Sequence, residues 1–112
     1  MVNFSVRSAH EGAVHRLTPV GELDIATTPI LEREFDAALP LDELTILVID
    51  LTELSFMDST GINLLMRMNE RCPDRLRMIN GSPAVERILD ITGVRPGLPV
   101  IKKDSDPLAP LL

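Results

Sequence analysis

Cysteine, histidine and aromatic residues are scarce in this sequence of 112 residues, which has one cysteine, two histidines, three phenylalanines and neither tryptophan nor tyrosine. A single cysteine excludes a disulfide within the chain, and three thiol or imidazole groups fall short of a four-ligand zinc site. The few aromatic rings offer little surface for stacking on bases. We therefore expect no metal, no cofactor and no redox chemistry.

Positive charge and long apolar runs are also lacking. Eleven basic residues stand against 17 acidic ones, a net charge of -6, which is the wrong sign for binding nucleic acid or an anionic lipid surface. No apolar run approaches the roughly 20 residues that span a bilayer, and the opening MVNFS has neither region of a signal peptide. We expect no nucleic-acid partner, no membrane insertion and a cytoplasmic location.

The composition that remains is that of one folded domain, with 45% hydrophobic and 25% charged residues. We predict that residues 1–103 form the domain and that residues 104–112 form a tail containing two prolines. The apolar end of this tail, LAPLL, either docks on the domain or extends into solvent.

Strand-like and helix-like segments alternate along the chain. Extended runs over 2–6 and 13–20 predict a hairpin, and the nearly continuous apolar run 45–51 is typical of a central strand. Proline and cap residues predict three helices. The first covers 29–39 after the cap Thr28, the second begins after 58–61 and ends at about 72, and the third runs from 83 to the C-cap Gly93. Two further strands are predicted over 76–79 and 99–103. This order predicts an α/β fold, with one mixed, mostly parallel sheet of four to five strands, an antiparallel edge hairpin and helices packed on it.

Polar segments follow three of the predicted strands: GELD at 21–24, DSTG at 58–61 and NGS at 80–82. Open α/β folds bind their ligands where parallel strands end. We therefore expect these three segments to meet at one edge of the sheet.

These segments carry a resemblance to a known family. GELD at 21–24, VIDLT at 48–52, FMDSTG at 56–61 and NGSP at 80–83 resemble the STAS domain, specifically bacterial anti-sigma factor antagonists, and the likeness extends from the hairpin to about residue 101. It implies that Thr60, the hydroxyl residue before Gly61, is phosphorylated, with Ser59 as the alternative acceptor. Many simple partner-switching members carry serine there, whereas threonine is frequent in larger stress-signalling assemblies.

The resemblance also implies a circuit. The unphosphorylated chain binds an anti-sigma factor with serine/threonine kinase activity and so frees the sigma factor; phosphorylation of Thr60 blocks binding, and a metal-dependent serine/threonine phosphatase is the further partner. Asp58 matches the acid of the motif, and Asp24 matches the other acid near the phosphorylation site, both understood to be needed for partner contact. With Ser59 and Gly61 they form the implied partner-binding set.

Elementary chemistry is compatible with this assignment. Asp58 or Ser59 can cap the second helix, and Gly61 lets the backbone turn sharply. A phosphate on Thr60 would lie at the positive end of the helix dipole, where free amides can stabilise it, so we expect little change of fold. The tetrapeptide alone favours a plain helix cap, and the full set of matching segments reverses that preference.

The second helix has two apolar sides. Helical spacing turns one stripe toward the sheet, formed by Gly61, Leu64, Leu65, Met68 and Cys72. Ile62 and Met66 are offset from it and form either an apolar flank that binds the partner or a surface covered by a neighbouring helix or loop.

We do not expect an enzyme, because a nucleophile with an adjacent base, a phosphate-binding loop and a Cys-x-x-Cys pair are all lacking. Two alternatives from another functional class remain. One is a STAS subunit of an ABC-type transporter, and the other is a subunit of a larger stress-sensing complex, each acting by protein contact.

Overall fold

The computed structural model describes residues 3–111, so the predicted strand position Val2 and the last tail residue, Leu112, lie outside the described residues. Within that range the chain forms one mixed sheet and three α-helices. The strands are β1 (Ser5–Glu11), β2 (Val14–Leu23), β3 (Ile46–Asp50), β4 (Leu54–Met57), β5 (Leu76–Ile79) and β6 (Val100–Ile101). The helices are α1 (Thr28–Ala37), α2 (Ser59–Arg71) and α3 (Pro83–Ile91).

The sheet has the predicted topology with one strand more than expected. Its order is β1-β2-β3-β5-β6, with an antiparallel β1–β2 hairpin, parallel pairing elsewhere and β3 in the centre. The prediction of four to five strands is wrong because β4 was missed. Strand β4 has four residues, follows a single 3-10 turn, and pairs in parallel with the second half of β2.

All three helices pack on one face of the sheet, which we call the first face. Strands β2, β3, β5 and β6 follow one another across the sheet in the same order as in the chain. Right-handed crossovers between them therefore place every helix on the same side of the sheet. Alternate side chains of the strands point to this face and pack against the helices in a single buried core. The core includes Leu17, Leu47, Ile49, Leu76 and Met78 from the strands and Leu31, Phe35, Leu64, Leu65, Val85 and Leu89 from the helices.

Helix boundaries agree closely with prediction, and the predicted caps Thr28 and Gly93 are each wrong by one residue. Helix α1 has Thr27, not Thr28, as its N-cap, although Pro29 occupies the first turn as expected. Helix α3 is capped by Ser82, and Gly93, with φ of +71°, follows its C-cap. No helix within residues 3–111 has the length and apolar character needed to cross a membrane.

Candidate functional site

Two of the predicted site segments lie side by side because their strands are paired. Leu23 at the end of β2 is in register with Met57 at the end of β4, so Asp24 and Asp58 follow neighbouring strand ends. The Asp58 amide donates to the Leu23 carbonyl at 3.2 Å and fixes the two loops to each other. The acids at 24 and 58 therefore share one edge of the sheet, as predicted.

The third segment does not join them, and the unpredicted strand β4 is the reason. Strand β3 ends at Asp50 beside Ile79, but the chain then continues through β4 before it reaches Asp58. The hydroxyl of Ser82 donates to the carbonyl of Leu54, at the start of β4, at 3.1 Å. The expected meeting of all three segments is therefore wrong for residues 80–82, which dock one strand length away from Asp58.

Asp58 caps helix α2 with its side chain. One carboxylate oxygen accepts from the Thr60 amide at 2.9 Å, the Gly61 amide at 3.3 Å and the Thr60 hydroxyl at 2.5 Å. The hydroxyl bond is the main reason that the pKa of Asp58 lies below its ordinary value, with the two amides adding to it and desolvation opposing it. The ionised carboxylate is therefore part of the folded structure of the site.

Replacing Asp58 by alanine is expected to cost about 1 kcal/mol of folding free energy at pH 7, the usual loss for a helix N-cap. A lowered folded-state pKa stabilises the fold above the unfolded pKa, near pH 4, and this contribution disappears as the pH falls through the folded value. Denaturant unfolding of Asp58→Ala and the unmodified chain at pH 7 and pH 3 measures both effects. The Asp58→Asn variant, a neutral but competent cap, is the control. An equal gap between Asp58→Ala and the unmodified chain at both pH values would contradict the ionised cap.

The amides that were expected to receive a phosphate are already occupied. Asp58 binds the amides of Thr60 and Gly61, and the Ile62 amide donates to the Asp58 carbonyl at 3.1 Å. The expected stabilisation by free amides therefore does not apply to those groups. A phosphate on Thr60 would instead stand beside the Asp58 carboxylate as a like charge.

The two candidate acceptors differ in exposure. Ser59 is exposed, whereas Thr60 is half-buried with its hydroxyl held by Asp58. The Thr60 hydroxyl is therefore fixed by a hydrogen bond, whereas Ser59 is the more solvent-exposed of the two residues.

Gly61 is required by space and not by a sharp turn. It lies inside helix α2, and a Cβ atom there would meet Met57 Cγ at 2.6 Å and Leu23 Cδ2 at 3.1 Å. Its backbone is outside the left-handed region, so the predicted reason for this glycine is wrong. The absence of a side chain lets helix α2 approach strands β2 and β4 closely.

Asp24 forms the turn that leads into helix α1. Its carboxylate accepts from the amides of Ala26 and Thr27, at 3.0 and 3.1 Å. The buried Thr27 hydroxyl donates to the Glu22 carbonyl at 2.7 Å and lies 3.1 Å from the Asp24 carboxylate. Thr27 was not predicted as a site residue, since a threonine beside Thr28 gives no local sign of its burial.

The exposed apolar side chains near the site differ from those predicted. The stripe predicted to face the sheet is buried as expected, but Ile62 is only 4% exposed and belongs to the core. The predicted flank is therefore wrong for Ile62, which its neighbours cover, while Met66 stays 40% exposed. Ile25, next to Asp24, and Phe56, two residues before Asp58, are also exposed and were not identified from the sequence.

Comparison with known proteins places the chain in a family. The family model described as STAS domain matches residues 7–106. An anti-sigma F factor antagonist of Paenibacillus polymyxa is 24% identical over 113 residues, which cover 98% of this chain and 97% of that protein.

Solved structures agree in fold. The crystal structure of an anti-sigma factor antagonist from Mycobacterium paratuberculosis superposes with a TM-score of 0.82 at 26% identity, covering 95% of this chain and 92% of the other. The phosphorylated form of SpoIIAA from Bacillus superposes with a TM-score of 0.62 at 22% identity, covering 90% and 93%. The resemblance predicted from the motifs is confirmed, and the chain belongs to the STAS domain family.

Proposed function

We propose that this chain is an anti-sigma factor antagonist that acts in the cytoplasm by binding, without catalysis of its own. Its unphosphorylated form would bind an anti-sigma factor with serine/threonine kinase activity and so release the sigma factor. The observation that carries the proposal is the Thr60 hydroxyl, held by Asp58 at 2.5 Å, at the edge of the sheet where Asp24 also lies. The names of its relatives support the same role.

In this proposal Thr60 accepts a phosphoryl group from the nucleotide bound by the partner kinase. The Thr60 oxygen forms a bond to the terminal phosphorus of the nucleotide, and the bond from that phosphorus to the bridging oxygen breaks, so that a nucleoside diphosphate leaves. The Thr60 hydroxyl proton passes to a base of the kinase. Asp58 orients the acceptor, because its carboxylate accepts a hydrogen bond from the Thr60 hydroxyl. The lone pairs of the hydroxyl oxygen then point away from Asp58. A metal-dependent serine/threonine phosphatase would reverse the step by hydrolysis.

Phosphorylation would act through charge at the docking surface. A phosphothreonine adds about -1.5 to -2 charges at pH 7, next to an ionised Asp58 and on the same sheet edge as Asp24. Like charges brought together in an interface cost several kcal/mol. The helix itself would keep its cap, since Asp58 holds two amides of its first turn.

Met66 is proposed to contact the partner, because it is the exposed apolar side chain on helix α2 beyond the switch. Substitution of Met66 by glutamate should leave thermal stability within about 0.5 kcal/mol, as is usual for surface changes, and weaken partner binding about tenfold or more. Isothermal titration with the partner and thermal unfolding measure the two effects. The control is Leu44→Glu, an exposed apolar residue before strand β3. If both variants bound the partner with equal affinity, Met66 would not be part of the interface.

The proposed partner can be tested by isolation from the host. The tagged chain and its Thr60→Val and Thr60→Glu variants are purified, and the bound proteins are identified by mass spectrometry. The proposal predicts that the unmodified chain and Thr60→Val recover a protein with a kinase domain that also binds a sigma factor, whereas Thr60→Glu does not. Recovery of an ABC ATPase and permease, or of a large sensory assembly, equally by all three would contradict it in favour of a scaffold role.

A further inference from the structure

The β1–β2 hairpin places the two histidines of the chain opposite each other. His10 and His15 are cross-strand partners, and Glu11 and Val14 flank a two-residue turn in which Gly12 has a φ of +56°. The residues that flank such a turn form a hydrogen-bonded pair, and the two kinds of pair alternate along the ladder. His10 and His15 therefore form a non-hydrogen-bonded pair, in which the Cα atoms are about 4.5 Å apart and the side chains lie closest together.

Pro19 supports this alternation. It is the partner of Val6 and lies four positions along β2 from His15, so it falls in the same class of pair. A proline has no backbone N–H to donate across the ladder, which fits a non-hydrogen-bonded position. The register of the hairpin thus holds the two imidazoles side by side.

The separation of the two imidazole rings suits a shared metal ion. The rings of His10 and His15 stack with their centres 5.0 Å apart and their planes 12° from parallel. A metal bound to a ring nitrogen at about 2.1 Å lies about 3.2 Å from the centre of that ring, so two rings that share it at about 90–109° have centres about 4.5–5.2 Å apart. The observed separation falls in this range.

Only ring rotation is needed to turn the stacked pair into a chelating pair. Stacked rings do not direct two nitrogen lone pairs at one point. Rotation about the Cβ–Cγ bond redirects the nitrogens and leaves each ring centre in place, because the axis of that bond passes through the centre. This torsion is soft in histidine, so the backbone spacing is already that of a bound state.

Both rings are accessible, and a neighbour orients one of them. His10 is exposed and His15 is half-buried, with its Nε2 atom 2.9 Å from the Ser8 hydroxyl oxygen. In the tautomer whose Nε2–H donates to Ser8, the Nδ1 lone pair is left for a metal, and such a bond from the second nitrogen is how ligating histidines are held. Burial, with His10 adding to it, lowers the pKa of His15 below its ordinary value, so this ring is neutral at pH 7.

The donor set is that of an exchangeable site. Among residues 3–111 no group of three histidine, cysteine or carboxylate side chains could hold a metal, so the protein supplies two ligands and water completes the coordination. This differs from the four-ligand zinc site that the composition excludes. Imidazole ligands suit Cu²⁺, Ni²⁺ and Zn²⁺, whereas Mg²⁺ and Ca²⁺ take oxygen ligands.

We propose that His10 and His15 form a two-histidine site for a divalent transition metal, with Cu²⁺ bound most tightly, and that Ser8 is the positioning residue for His15. The bound ion fastens β1 to β2 near the turn. His15 and Leu23, which precedes the site edge at Asp24, are eight positions apart on β2, or about 27 Å. The inference is therefore independent of the proposed function.

Calorimetric titration of the full chain with CuCl₂ and NiCl₂ tests the site. We expect one ion per chain, with binding at least about tenfold weaker in His10→Ala and in His15→Ala. The chain has no other histidine, so loss in both variants assigns the ion to this pair. Native affinity in either variant, from binding at the terminal amine or at carboxylates, would overturn the proposal. So would a lack of binding by the unmodified chain.

Two further variants separate the roles of the neighbouring groups. Cys72→Ala removes the buried thiol and should bind Cu²⁺ as tightly as the unmodified chain. Ser8→Ala should weaken binding about tenfold and keep one ion per chain, as expected for a residue that orients a ligand. Circular dichroism confirms folding of each variant. Loss of binding in Cys72→Ala, or native affinity in Ser8→Ala, would contradict the assigned ligands or their orientation.

Amide spectra of the unmodified chain locate the ion without any substitution. Paramagnetic Cu²⁺ should broaden the resonances of residues 8–16 and leave those of residues 58–62 unchanged. Broadening centred on acidic segments away from the hairpin would show that the ion binds carboxylates only, and would overturn the proposal.

Discussion

Phosphorylation of Thr60, or its replacement by glutamate, should lower the affinity for the anti-sigma partner at least 100-fold without unfolding the chain. A 100-fold loss corresponds to about 2.7 kcal/mol, which lies within the cost of like charges opposed at an interface. The physical reason is that docking would press the phosphate and the ionised Asp58 carboxylate beside it against the partner together. Titration of the purified partner against both forms measures the loss.

Two further observations make this prediction specific to charge. Thr60→Val removes the hydroxyl but adds no charge, so it should bind the partner with close to native affinity. Amide spectra of the phosphorylated chain should change around residues 58–64 and in the adjoining turn at Asp24, while β3 and β5 stay unchanged. Undiminished affinity after phosphorylation, or spectral change throughout the sheet, would contradict charge-controlled docking.

Replacing Gly61 by alanine should destabilise the chain by about 1–3 kcal/mol, the usual cost of overpacking a core. The added methyl would lie 2.6 Å from Met57 Cγ and 3.1 Å from Leu23, so helix α2 must move away from the strands that position Asp24 and Asp58. For a chain of this size each kcal/mol lowers the melting temperature by roughly 4–8 °C. Thermal unfolding followed by circular dichroism measures the change.

Gly97 provides the matched control for this substitution. A Cβ atom at Gly97 has nothing within 4 Å, and its backbone is outside the left-handed region. Gly97→Ala should therefore change stability by less than about 0.5 kcal/mol. A melting temperature for Gly61→Ala equal to that of Gly97→Ala would show that helix α2 is not tightly packed at its start.

The fold was predictable where burial imposes a pattern on the sequence. The apolar run 45–51 predicted the central strand, because a strand covered on both faces has no polar alternation. Strand β4 was not predicted, because its four residues, LSFM, are too few to show an alternation of apolar and polar side chains, and two of them are exposed. Because β4 was not predicted, residues 80–82 were wrongly placed at the site, which lies at the end of β4 and not of β3.

At the site, sequence identified the chemical groups but not their packing. Asp58 and Asp24 were found because cap and turn residues follow local rules. Ile62 was misplaced because helical spacing gives the direction of a side chain and not the neighbours that cover it. The role of Gly61 depends on Met57 and Leu23, and contact with Leu23, 38 positions earlier by residue number, is not visible in a local pattern.

We propose that Thr60 is reversibly phosphorylated and that this phosphorylation controls partner binding. The most direct test is intact-mass analysis with fragmentation of the protein isolated from its own host, before and during stress. We expect a single phosphate on Thr60 whose occupancy changes between conditions. A chain that is unmodified in every condition would contradict it, and would reduce Asp58 and Thr60 to the cap of helix α2.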